Sequence, residues 1–103
     1  ILENAYYSVI SPEGCAAILF KDRAHAPKAV EALCLDATNL LKLGVVDGVV
    51  KEPLGGAQED PAATGSNIRK MLREALKELS KAKPDKLVAD RYAKFRKMGV
   101  YAE

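Results

Sequence analysis

The residues best placed to do chemistry form one short string, Ser11-Pro12-Glu13-Gly14. It follows an aromatic and β-branched stretch, Ala5-Tyr6-Tyr7-Ser8-Val9-Ile10, and precedes an apolar run from Cys15 to Phe20. A strand that turns into a helix there presents backbone N–H groups and the positive end of the helix dipole, which suit an anionic or polar group. Ser11 has no neighbouring His or Asp, so it does not read as a triad nucleophile. Its simplest role is that of a helix cap, with Pro12 at the first helical position. Glu13 reads as a base or, more simply, as an acid that favours the helix N-terminus. Gly55-Gly56 could line an oxyanion or phosphate, or could serve turn geometry alone. Asp47-Gly48 is turn chemistry. Cys15, Cys34 and the single His25 lack the clustered spacing of a metal site or disulfide framework. They read as buried free thiols of a reducing compartment and an exposed histidine.

The elements that must position these residues are legible as patterns. The stretch Ala5–Ile10 predicts a strand, its two tyrosines on opposite faces. A first helix, about Pro12 to Phe20, is apolar nearly all round and is expected to be buried. Pro27 opens a second helix, with Val30, Leu33, Cys34, Ala37, Leu40 and Leu41 at helical spacing and Gly44 as a left-handed stop. Val45-Val46 and Val49-Val50 flank Asp47-Gly48 as either a tight hairpin or one irregular short strand. A loop from Glu52 to Asp60 ends in the start signal Asp60-Pro61. The third helix, about Pro61 to Ser80, carries Ile68, Met71, Leu72, Ala75, Leu76 and Leu79 on one face, so Leu72 and Leu76 are expected in the core. The fourth runs from Pro84-Asp85 to Met98 and stops at Gly99, with Leu87, Val88, Tyr92 and Phe95 as its apolar stripe.

The 103 residues are 49% hydrophobic and 29% charged, a globular balance. A chain of this size buries only about 60–65% of the surface that its unfolded form exposes. Its apolar runs are too short to span a membrane. The first residues lack the basic region and apolar stretch of a secretory signal. Charge is unevenly spread: residues 1–60 hold five Lys/Arg and nine Asp/Glu, residues 61–103 eleven and five. The basic end, with Arg91, Lys94, Arg96 and Lys97, is a solvated face, a contact for an acidic partner, or a site for phosphates. Nucleic acid would ask for stacked aromatics and a denser basic face.

Two stretches carry a resemblance. Leu2-Glu3-Asn4-Ala5-Tyr6-Tyr7-Ser8-Val9-Ile10-Ser11-Pro12-Glu13-Gly14-Cys15-Ala16-Ala17-Ile18-Leu19 and Leu43-Gly44-Val45-Val46-Asp47-Gly48-Val49-Val50-Lys51-Glu52-Pro53-Leu54-Gly55-Gly56-Ala57, in this order, resemble the C-terminal part of the acetyl-CoA carboxylase carboxyltransferase alpha subunits. The ending Arg91-Tyr92-Ala93-Lys94-Phe95-Arg96-Lys97-Met98-Gly99 is similar to the same family's last helix, so the likeness covers essentially the whole chain. One departure is Gln58, where the family usually has His. The resemblance implies an α/β, crotonase-like fold, of which this chain holds a mostly helical part with one to three short strands. It reads as a single partial domain: 1–60 a strand-helix-helix-strand core segment, 61–103 the C-terminal helices.

The resemblance also implies a cytoplasmic enzyme of fatty acid biosynthesis. That enzyme passes a carboxyl group from carboxybiotin, borne by a biotin carboxyl carrier protein, to acetyl-CoA, giving malonyl-CoA. Its alpha subunit supplies the biotin side of the site and a beta subunit the CoA side, in an α2β2 assembly. Such chemistry wants preorganised N–H donors for developing negative charge. The family's glycine-rich catalytic turn is expected upstream of the strand that opens here, so no catalytic residue and no metal ligand is assigned in this chain. Ser11, Glu13 and Gly14 are the expected biotin-side contacts. The open strand edge and Ile18, Leu19 and Phe20 are expected to promote self-association.

Overall fold

The computed structural model describes residues 1–99. Helix α1 spans Pro12–Phe20, a 3₁₀ turn Arg23–His25, α2 Ala26–Leu33, α3 Ala37–Lys42, α4 Pro61–Leu79 and α5 Pro84–Arg96. Three of these starts are local chemistry. The Ser11 side chain accepts from Gly14 N, that of Asp36 from Asn39 N and that of Asp60 from Ala63 N, each filling an orphan donor of the first turn. Pro12, Pro61 and Pro84 stand where a missing N–H costs nothing.

The predicted second helix is two helices. Cys34 adopts φ 49° and ends α2, and Asp36 then caps α3. The apolar spacing runs through this break because a short interruption hardly shifts a 3.6-residue period. Asp36 prefers a cap to a helix interior, since its carboxylate competes for backbone N–H groups.

The predicted strand Ala5–Ile10 is also corrected. Only Tyr6 bridges a neighbour, antiparallel to Asp36, and Tyr7 N donates to Leu35 O at 3.3 Å. β-Propensity builds a strand only where a partner ladder exists. Alternation along a strand would turn one of the two tyrosines to the core, but both are exposed. Pairing occurs instead at Leu2, which bridges Val50 in parallel, with Val50 N to Ile1 O at 2.8 Å and Glu3 N to Val50 O at 2.9 Å. The valine pairs therefore form no hairpin. A type I′ turn needs positive φ at both central residues, and neither Asp47 nor Gly48 has it.

The core is small. Cys15, Ala16 and Ala29 are buried where α1 meets the 3₁₀ turn and α2, with Ile10, Phe20 and Leu33 packed against them. Ala37, Leu40 and Val46 are buried separately around α3. Cys34 is only half-buried, unlike Cys15. Ile18 and Leu19 face outward, so α1 is buried on one side and not all round. On α4, Leu72 is 56% and Leu76 65% exposed, which overturns their expected place in the core. Periodicity says that a face will bury against something; it does not say that the covering surface is among these residues. The radius of gyration, 17.3 Å, exceeds the roughly 13 Å of a compact chain of this length, and the molecule measures 50 × 44 × 17 Å. No helix of the described residues is long and apolar enough to cross a membrane.

Candidate functional site

The turn into α1 brings Ser11, Glu13 and Gly14 together. Ser11 Oγ accepts from Gly14 N at 3.1 Å, and Cys15 N donates to Ser11 O at 2.9 Å. Gly14 is closely packed: a Cβ there would lie 3.2 Å from Ile10 Cγ1 and from Ser11 Oγ, so those side chains would have to shift. Pro12 brings no N–H, and Gly14 and Cys15 are committed, so the Glu13 amide is the first-turn donor left for another group. Ser11 and Glu13 are exposed and Gly14 half-buried.

Beside this turn lies an open cleft of about 530 Å³. Pro12 and Ser8 belong to its wall, whereas Ser11, Glu13 and Gly14 do not. Val30, Leu35 and Tyr6 give it apolar surface, and Asn4, Glu3 and Asp36 its polar rim. Both acids of the rim are already engaged. The Glu3 carboxylate accepts from Lys51 Nζ and, at 3.3 Å, from Glu52 N; the lysine bond chiefly, then the backbone one, holds its pKa below the usual glutamate value. Asp36 is lowered by the Asn39 backbone N–H and then by the Asn39 side chain. A cleft with satisfied carboxylates and apolar walls offers no ready proton-transfer group.

Glu52 and Asn4 escaped the sequence reading. The Glu52 carboxylate accepts from Asn4 N at 2.9 Å, Asn4 Nδ2 at 3.2 Å and Ala57 N at 2.8 Å. These donors, the Asn4 backbone amide foremost, pull its pKa down against the opposing effect of burial. Glu52 thus ties the loop after Val50 to the chain's first turn. Asn4 and Glu52 are 48 residues apart, and neither stands in a motif that announces the contact.

The glycine pair inside that loop serves its shape. Gly55 and Gly56 have φ 91° and 102°, which side chains rarely adopt. A Cβ at Gly55 would fall 2.7 Å from Glu59 Cγ, and one at Gly56 2.8 Å from Gln58 Oε1. Gly56 N donates to Pro53 O at 2.9 Å, so it is not free for an oxyanion. Gln58 closes the loop by donating from Nε2 to Gly55 O at 2.7 Å.

His25 is exposed, 3.8 Å from Asp22 and tilted against Phe20. Among the described residues no group of three His, Cys, Asp or Glu side chains stands ready for a metal ion. At the basic end, Lys94 Nζ lies 2.6 Å from both Asp47 carboxylate oxygens, Lys86 2.5 Å from Asp90, and Arg91 over the Phe95 ring.

Comparison with known proteins agrees with the motif reading. The family model described as acetyl co-enzyme A carboxylase carboxyltransferase-like matches residues 1–99. The chain is 56% identical over 103 residues to the acetyl-coenzyme A carboxylase carboxyl transferase subunit alpha of Thermus thermophilus, covering 100% of the chain and 33% of that protein. It is 50% identical to the subunit alpha of Rhodopirellula baltica, over 100% of the chain and 32% of the relative. The Frankia alni relative, named as subunits beta/alpha, is 57% identical over 97 residues, which are 94% of this chain and 16% of that one. The chain therefore spans about a third of the length of the subunit alpha relatives it matches. With the family model matching nearly its full length, the chain belongs to the acetyl co-enzyme A carboxylase carboxyltransferase-like family.

Proposed function

We propose that these residues are the C-terminal part of a carboxyltransferase alpha subunit with a crotonase-like fold, residues 1–60 closing its core and 61–103 forming its last helices. In this reading the whole subunit works in the cytoplasm with a beta subunit, in an α2β2 assembly, and with a biotin carboxyl carrier protein. The reaction moves a carboxyl group onto acetyl-CoA to give malonyl-CoA for fatty acid synthesis. The observation that carries the reading is 56% identity to a subunit alpha across every residue of the chain.

Carboxybiotin, when bound, supplies the activated carboxyl group. The residues of this chain offered to that anionic group are those of the turn into α1, Ser11, Glu13 and Gly14, at the positive end of the helix. Ser11 and Gly14 keep the α1 start in shape, and the Glu13 amide offers an N–H at its positive end. Glu13 itself acts as electrostatic support for the helix rather than as a base. Against the rival reading of the basic end as a polyanion site stand two of its four cations, Lys94 engaged by Asp47 and Arg91 set over the Phe95 ring.

The test is a transplant. This chain replaces the matching third of the Thermus thermophilus subunit alpha, and the product is mixed with the beta subunit, malonyl-CoA and free biocytin. Decarboxylation of malonyl-CoA within tenfold of the parent rate is expected, with none above background from this chain plus beta subunit alone. A transplant that assembles with the beta subunit but does not turn over defeats the reading.

A further inference from the structure

We draw no further inference here: the strongest candidate, the exposed apolar face of α4 and α5 that carries Leu72, Leu76, Leu79, Tyr92 and Phe95, belongs to a chain that spans about a third of its relatives' length, and nothing in the structure shows what covers it.

Discussion

Residues 1–60 and residues 61–99 both leave large apolar side chains exposed, yet they differ in what they bury. In the first region small residues do the packing: Cys15, Ala16 and Ala29 let α1 and α2 approach closely, and long-range bonds from Val50 and Glu52 hold the first residues in place. In the second, α4 and α5 carry larger side chains, Leu72, Leu76, Leu79, Val88, Tyr92 and Phe95, and all are exposed. The contrast teaches that burial follows from what lies opposite a face, not from the size of the face. A regular stripe of leucines without a facing surface contributes little to the stability of this chain, while three alanine-sized residues with one contribute a core.

The largest expected effect lies on the open faces. The chain should self-associate as its concentration rises, through exposed apolar surface. Leu72→Lys with Leu76→Lys should lower the association measured by sedimentation more than tenfold. A monodisperse 11.1 kDa species of the parent at high concentration would break the comparison, since it would mean the second region covers itself. Next comes overpacking of the closed region. Ala29 is fully buried, and Ala29→Leu should cost about 1–3 kcal/mol in denaturant unfolding followed by circular dichroism. A cost near zero would show that the α1–α2 contact is loose.

The caps should matter less. Asp60→Ala removes the acceptor for Ala63 N and should lower the helix content of α4, at about 1 kcal/mol; an unchanged far-ultraviolet spectrum across a temperature ramp would refute it. The acid response should be gentle and confined to the first region. Glu3, Asp36 and Glu52 all have lowered pKa values, because each carboxylate accepts hydrogen bonds in the folded chain. A group whose pKa falls on folding adds stability above its unfolded value, near about 4 for these acids, and that stability is lost as pH falls through the folded value. Protection of the Ala57 amide should accordingly drop in acid below about pH 4, and Glu52→Gln should flatten the drop. Smallest of all is Leu76→Ala: in this chain its cost should stay below about 0.5 kcal/mol, against about 2–5 kcal/mol for a buried leucine. A large cost would place an unseen cover over α4.

What could be read without the structure is what a few neighbouring residues decide. Ser11-Pro12 and Asp60-Pro61 set the starts of α1 and α4, because cap and first turn are within three residues of each other. Gly44 and Gly99 take positive φ just past the ends of α3 and α5, as stop signals do. The family itself was legible in two strings of side chains. Tertiary structure decided the rest. It broke the second helix at Cys34, because Asp36 gains more as a cap and Leu35 is free to receive Tyr7 N. It paired Leu2 with Val50 rather than valine with valine, and it joined Asn4 to Glu52 across 48 residues. It also left Leu72 and Leu76 uncovered. Local signals cost little entropy to satisfy and so survive in any context, whereas distant contacts form only when the chain has already brought their partners together, and no spacing along the sequence encodes that meeting.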